Sequence, residues 1–120
     1  MIKIIQDLPG NNVGFEAIGK VTGKDYETVL IPAVEAKLKE FSKIRLLYYL
    51  GSDFTEYDME ALLDDAKIGF KHLKAWERIA LVTDIEWVRK AVHLFAFTMP
   101  GYVRLFKNNE LSNAKKWMAE

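Results

Sequence analysis

The sequence predicts a single α/β domain with a mostly parallel sheet, and two observations carry that prediction. The runs IRLLYYL at 44–50 and RIALVT at 78–83 are almost continuously apolar, which is typical of strands covered on both faces. Stretches with helical apolar spacing precede and follow both runs. Because strands that alternate with helices pair in parallel through right-handed crossovers, we expect the order β-β-α-β-α-β-α-β-α over residues 1–120, with five strands and an antiparallel first strand.

The elements of the N-terminal part are marked by turn and cap residues. Residues 2–5 predict a short strand, and after the turn LPGNN the loosely alternating residues 13–21 predict its antiparallel partner. Thr22 and Asp25 stand three residues apart, as in a capping box, and begin a helix with an apolar stripe. Pro32 lies inside this helix, and because proline lacks an N–H we expect a kink or break there.

The C-terminal part alternates loops, helices and strands. Residues 51–55 predict a loop, and a helix follows from about 58 to 74. Asp84 predicts the cap of a helix at 85–99, which Pro-Gly ends before a strand at 102–106 and a helix at 109–118. The inner stripe expected for the helix at 58–74 consists of Met59, Leu62, Leu63, Ala66, Gly69, Phe70 and Leu73.

Composition excludes several classes of function. Lysine plus arginine and aspartate plus glutamate balance at 17 each, so the basic excess of a nucleic-acid-binding protein is missing and we expect no nucleic-acid partner. Cysteine is absent, which removes disulfides, thiolate nucleophiles and cysteine metal sites. No run approaches the roughly 18 apolar residues of a membrane span, and MIKIIQDLPG is too short and polar for a secretory signal. We therefore expect a cytoplasmic protein.

Three segments carry a resemblance to a known family. They are RIALVTDIEW at 78–87, FTMPGYVRLF at 97–106 and ELSNAKKWM at 110–118. With these segments, and with its element order over the whole chain, the sequence resembles the SpoIIAA-like proteins, bacterial relatives of the STAS domain. The resemblance implies a STAS/SpoIIAA-like single domain, a fold also compared with the lipid-binding CRAL-TRIO domain. It further implies a binding or regulatory role with no established enzymatic activity.

The chain departs from the STAS pattern at one functional position. STAS anti-sigma-factor antagonists carry an aspartate-serine-serine-glycine type phosphoacceptor at the start of the helix after the second buried strand. The corresponding region here reads GSDFTEYDME and lacks that motif. We interpret Ser52 as a loop residue and Thr55 as a helix cap, and their phosphorylation stays an open question.

The residues do not assemble a recognisable catalytic or metal motif. His72 and His93 lie on different predicted helices without a third ligand at metal spacing, so we expect no metal and no cofactor. The three serines are outside any G-x-S-x-G elbow, and no glycine-rich phosphate loop follows a strand. We predict no catalytic residues. An enzyme that uses Asp84, Glu86 or His72 remains an alternative, and it requires these groups to converge in one polar pocket.

Two apolar residues are predicted to point away from the core. On a helical projection Phe97 falls in line with the charged residues of the helix at 85–99, opposite its sheet-facing stripe. Ile68 likewise points away from the inner stripe expected for its own helix. Unless a neighbouring segment covers them, Ile68 and Phe97 predict a surface that meets a membrane or a partner.

The leading hypothesis is a non-enzymatic module that binds a hydrophobic small molecule or lipid between the sheet and the helices at 58–74 and 85–99, with peripheral membrane contact as an extension. Aromatic and methionine side chains suit an adaptable apolar pocket, and they suit an ordinary core as well. The alternative is a STAS-like regulatory protein-interaction domain that acts through residues 52–57. Homo-oligomers through the edge strand or exposed apolar residues stay open. The predicted ligand-lining residues are Phe54, Tyr57, Phe70, Trp76, Trp87, Leu94, Phe97 and Met99.

Overall fold

A computed structural model of the chain describes residues 1–96 and 101–120, and for residues 69, 70, 73 and 95 it describes the backbone alone. One sheet has the strand order β1-β2-β3-β4-β5, with β1 antiparallel to β2 and the other neighbours parallel. This confirms the predicted α/β fold and its mixed five-stranded sheet. The strands are β1 (Ile2–Ile4), β2 (Asn12–Val21), β3 (Ile44–Tyr57), β4 (Trp76–Thr83) and β5 (Tyr102–Phe106).

The helices cover the two faces of the sheet unequally. Each right-handed crossover between β2 and β5 advances one strand in the same direction, which places α2, α3 and α4 on one face. The last helix, α5, follows β5 and packs on the other face. The helices are α1 (Gly23–Asp25), a π-helical turn (Tyr26–Leu30), α2 (Ile31–Glu40), α3 (Met59–Lys71), α4 (Glu86–Ala96) and α5 (Leu111–Ala119), with 3-10 turns at Leu73–Ala75 and Asn108–Glu110.

The break expected at Pro32 takes the form of the π-helical turn. The N–H of Ile31 bonds to the carbonyl of Tyr26, five residues earlier, so the helix is widened just before the proline. Proline cannot donate to the carbonyl of residue 28, which removes one α-helical bond at this place. The Thr22 and Asp25 capping box that begins the segment is confirmed. The wide turn sets Tyr26 and Glu27 beside α3.

The inner stripe predicted for α3 is wrong for Met59 and Leu63, whereas Leu62 and Ala66 lie between α3 and the sheet, and the side chains of residues 69, 70 and 73 lie outside the described residues. Met59 and Leu63 are 72% and 56% exposed, whereas the helix buries Ala61, Asp64 and Ile68. The prediction that Ile68 forms an outward surface is therefore wrong as well, since its side chain is 6% exposed. Polar contacts hold the helix in this rotation. They run from Asp58 to the N–H of Gly23 (3.2 Å) and from Asp65 to the hydroxyl of Tyr26 (2.7 Å).

Three local predictions near strand ends are also wrong. Ser52 and Thr55 lie within β3, because this strand continues past Gly51 and pairs with β2 as far as Tyr57. The cap of α3 is consequently Asp58, whose carboxylate accepts from the N–H of Ala61 at 2.7 Å. Asp84, expected to cap α4, accepts instead from the N–H of Asn108 at 3.0 Å. Its carboxylate thus joins the end of β4 to the turn after β5.

Candidate ligand cavity

A cavity of about 360 Å³ lies between the sheet and the helices α3 and α4. The sheet forms its floor, and the two helices with the end of the π-helical turn form its walls. Most lining side chains are aliphatic or aromatic, so the cavity is chiefly apolar. The lining residues are Leu30, Leu46, Tyr48, Tyr57, Leu62, Asp65, Ala66, Ile68, Trp76, Ile79, Leu81, Trp87, Val88, Ala91, Val92 and Val103.

The cavity opens between α3 and α4. Among the described lining residues, those exposed to solvent belong to these two helices, namely Leu62, Asp65 and Ala66 on α3 and Trp87 and Ala91 on α4. The Trp87 ring stands edge-on to that of Tyr57, with centroids 6.4 Å apart and an interplanar angle of 82°. Beyond the lining, the described side chains of α3 and α4 include the exposed large apolar residues Met59, Leu63 and Leu94.

One part of the cavity wall is polar and consists of hydroxyl groups that lead to a carboxylate. The hydroxyl of Tyr26 donates to Oδ1 of Asp65 at 2.7 Å and lies 2.8 Å from the hydroxyl of Tyr48. A phenol has one hydrogen, so Tyr26 must accept from Tyr48. The phenol of Tyr57 lies near this pair, and its interaction with Tyr48 contributes to its raised pKa. The hydroxyl hydrogens of Tyr26 and Tyr48 are therefore both engaged within the cluster. Tyr48 donates to Tyr26, and Tyr26 donates to the carboxylate of Asp65.

The surroundings of this cluster favour its uncharged forms. Burial raises the pKa of Asp65 above its ordinary value of 3.8, although the hydrogen bond from Tyr26 partly opposes the shift. Asp65 is reached by solvent through the opening, yet protein surrounds its carboxylate, and this incomplete hydration is the cause of the shift. Burial likewise raises the pKa of the phenols of Tyr26, Tyr48 and Tyr57 well above ordinary values, so all three are neutral at physiological pH.

The structure places the predicted lining residues unequally. Tyr57, Trp76 and Trp87 line the cavity. Phe54 is buried behind it, with its ring centroid 4.8 Å from that of Tyr57, and Leu94 is 71% exposed outside the lining. Neither of the two is among the described lining residues of this cavity, and a role for them in ligand binding stays a prediction. The side chains of Phe70, Phe97 and Met99 lie outside the described residues.

Sequence reasoning missed the polar members of the site. Tyr26 and Tyr48 stand in segments whose apolar patterns predict a helix and a buried strand, and Asp65 is absent from the inner stripe predicted for α3. The signal in the sequence was the presence of Tyr26, Tyr48 and Tyr57 in segments predicted to pack around the helix that carries Asp65. Buried tyrosine hydroxyls need polar partners, and Asp65 is the partner that the fold supplies.

The residues considered for an enzyme do not converge. His72 follows α3 and contacts the carboxylate of Glu35 at 2.8 Å. Asp84 lies at the opposite end of β4, a strand of 8 residues that spans about 26 Å. Glu86 is exposed at the start of α4. The single polar pocket that the enzyme hypothesis requires is therefore not formed by these groups.

A second polar cluster lies beside the cavity, on the outer side of the π-helical turn. Carboxylate oxygens of Glu27, Glu60 and Asp64 are within 4.8 Å of one another. Hydrogen bonding to Glu60 is the main cause that raises the pKa of Glu27 above 4.5, with smaller contributions from burial and from Asp64. Glu27 and Glu60 are exposed, whereas Asp64 is buried.

The length and polarity of the helices bear on membrane contact. Among residues 1–96 and 101–120, no helix combines the length and the apolar character that crossing a bilayer requires.

Comparisons with known proteins agree on the fold. A family model described as SpoIIAA-like matches residues 12–119. A similar solved structure is that of an uncharacterized protein from the DUF3478 family with a SpoIIAA-like fold, from Shewanella loihica. The two chains are 27% identical with a TM-score of 0.78, and the match covers 98% of this chain and 92% of the other. No curated protein matches the chain.

Proposed function

The chain belongs to the SpoIIAA-like family, and we propose that it is a binding protein for an apolar small molecule or lipid chain that carries one hydrogen-bond donor. The observation that carries this proposal is the cavity between the sheet and the helices α3 and α4. Its volume of about 360 Å³ is within the usual range of small-molecule sites, about 300–1,000 Å³. Apolar side chains from three strands and two helices line it.

The lining suits the chain of such a ligand. Leu46, Ile79, Leu81 and Val103 supply an aliphatic floor from β3, β4 and β5. Desolvating apolar surface of a ligand against such a floor contributes about 25 cal/mol per Å². The exposed residues at the opening on α3 and α4 offer a route for entry that leaves the sheet undisturbed.

The tyrosine cluster suits a ligand group that donates a hydrogen bond. The hydrogens of Tyr48 and Tyr26 are directed toward Asp65, so the cluster offers the ligand mainly acceptor lone pairs. Among the described lining residues, Asp65 is the one with an acidic side chain, and Lys and Arg do not occur among them. A hydroxyl, amide or ammonium group is therefore favoured, and a carboxylate is disfavoured because it would lose its hydration beside acceptor lone pairs without gaining a donor.

A comparison of decanol, decylamine and decanoate tests both parts of the proposal. We expect calorimetry to detect binding of decanol and decylamine at pH 7, with decanoate about tenfold weaker or worse. Binding of the alcohol and the amine should be lost in Ala91→Trp, because the indole fills the opening. Ala36→Trp, also an exposed alanine on a helix but on α2, is the matched control and should bind normally.

The outcomes separate the two parts. If none of the three compounds binds, or if Ala91→Trp binds as well as the control variant, the cavity is not a ligand site. If decanoate binds most tightly, the cavity binds ligands but the role given to Asp65 is wrong. In that case Asp65→Asn would leave the binding of decylamine unchanged.

Peripheral contact with a membrane extends the same proposal. The side chains of Met59, Leu63 and Leu94 are exposed on the two helices that form the opening, and apolar groups there suit transfer of a ligand from a bilayer. Flotation with vesicles of phosphatidylcholine should carry the protein upward, and Leu63→Gln should reduce the floated fraction. Flotation that is absent, or equal for both proteins, would remove this extension.

A regulatory interaction with another protein is the second candidate. Membership of the SpoIIAA-like family favours it, and so does the apolar surface that α3 leaves exposed. The partner surface predicted from the sequence, residues 52–57, includes Phe54. This side chain is buried, so a charged residue in its place would destabilise the fold. Met59→Glu is the better test, because a protein partner should be lost from pull-downs with this variant and kept with Ala91→Trp.

A further inference from the structure

We propose that Glu27, Glu60 and Asp64 form a binding site for a divalent cation of the oxygen-preferring kind, such as Ca²⁺ or Mn²⁺. Their carboxylate oxygens lie within 4.8 Å of one another. Two oxygens on opposite sides of a bound Ca²⁺ are about 4.6–5.2 Å apart, so this spacing suits one shared ion. The site is separate from the ligand cavity, and the proposal does not depend on it.

The buried carboxylate is the independent observation. Asp64 is 9% exposed, and its Oδ2 has no hydrogen-bond partner among the described residues. An unpaired buried carboxylate is costly, because the protein does not replace the hydration that it loses. The side chain of Asp64 is directed into the cluster, since one of its carboxylate oxygens lies within 4.8 Å of those of Glu27 and Glu60. A cation between the three would satisfy Asp64 and remove the repulsion.

Among the described residues, no basic side chain forms an ion pair with Glu27, Glu60 or Asp64. The ion pairs found there use other carboxylates, namely those of Asp25, Glu35 and Glu77. Glu60 and Asp64, together with burial, raise the pKa of Glu27, so the close approach of the three carboxyl groups disfavours their ionised forms. A cation would relieve this repulsion.

The fold holds the three residues on two elements that are already in contact. Glu27 lies on the π-helical turn, and Glu60 and Asp64 lie one helical turn apart on α3. A side chain at position 23 would collide with that of Glu60, so Gly23 permits this close approach of α3. On the same two elements, the adjacent residues Tyr26 and Asp65 form the hydrogen bond at the cavity. The cation would thus join α3 to the turn beside the polar wall of the cavity.

The site would be partly hydrated. Three carboxylates supply between three and six oxygens, and Ca²⁺ takes about 6–8, so water would complete the shell through the exposed side of Glu27 and Glu60. Zinc is a poor match, since the cluster has no histidine or cysteine ligand.

The test is metal binding to the chelator-treated protein, with no ligand in the cavity. Substoichiometric Mn²⁺ should broaden the amide NMR signals of residues 26–28 and 59–65 first, and Ca²⁺ should reverse the broadening. Calorimetry with Ca²⁺ up to about 5 mM in 0.1 M KCl should give one site. Broadening spread over unrelated acidic residues, or the absence of binding by both ions, would overturn the proposal.

Variants locate the site without depending on one substitution. Asp64→Asn keeps the shape of the buried side chain and should weaken binding about tenfold or more. Glu60→Gln, at an exposed position, should weaken it in the same direction. Glu40→Gln removes an equal charge from the exposed end of α2 and should leave binding unchanged. Equal binding by all three variants would show that the ions are attracted by general charge, and the proposal would fail.

Discussion

The two faces of the sheet differ in how closely they are packed. On the α5 face Leu47, Ala80 and Val82 pack against Ala114 and Met118, and these five side chains are fully buried. Donors from the sheet also bond to the last carbonyls of α5. The bonds are Asn12 Nδ2 to Met118 O (3.1 Å), Arg45 Nη1 to Met118 O (2.9 Å) and Arg78 Nη1 to Trp117 O (2.6 Å).

The opposite face holds a cavity where the first face holds packed side chains. Its helices α3 and α4 leave Met59, Leu63, Trp87 and Leu94 more than half exposed. One sheet therefore carries a closely packed side that stabilises the fold and an open side suited to binding. Because neighbouring residues of a strand point to opposite faces, even adjacent leucines of β3 differ in role.

The largest expected effect compares those adjacent leucines, Leu46 and Leu47. Leu47→Ala should lower the free energy of unfolding by about 2–5 kcal/mol, because it creates a void in a fully packed region. Leu46→Ala should lower it by only about 1–2 kcal/mol, because that side chain is half-buried and already borders the cavity. Urea unfolding of both variants measures the difference. Equal losses would contradict the distinction between the two faces.

The second prediction concerns Asp65 on the open face. Its folded-state pKa is raised above 3.8, so its contribution to stability is complete below pH 3.8 and is lost as the pH rises through the raised value. Asp65→Asn cannot ionise and can still accept from Tyr26. The variant should therefore gain stability relative to the native protein as the pH increases from about 3.5 to 7 in urea unfolding. A difference that is independent of pH would refute this account.

The smallest effect is expected at the exposed apolar residues. Leu63→Gln should change the free energy of unfolding by less than about 0.5 kcal/mol, because Leu63 is 56% exposed and contributes little to the core. The same variant should reduce vesicle flotation, so stability and binding would respond separately. A large loss of stability would instead assign Leu63 to the packing of the fold.

Much of the fold was predictable because it rests on local patterns. Continuous apolar runs identified β3 and β4, and the spacing between them allowed parallel pairing alone. The capping box at Thr22 and the break before Pro32 follow from the chemistry of single residues. The end of β3 was less predictable, because residues 52–57 become strand through pairing with β2.

The sequence by itself determined the element order, the sheet type and the general location of the cavity between the sheet and two helices. Only the tertiary structure decided the rotation of α3, which buries Asp64, brings the carboxylate of Asp65 to Tyr26 and exposes Met59 and Leu63. The physical reason is that the apolar spacing of a helix expresses only the tendency of its own residues to be buried. Contacts with residues distant in the sequence can outweigh that tendency and rotate the helix. Here the bonds of Asp58 with Gly23 and of Asp65 with Tyr26 fix the helix.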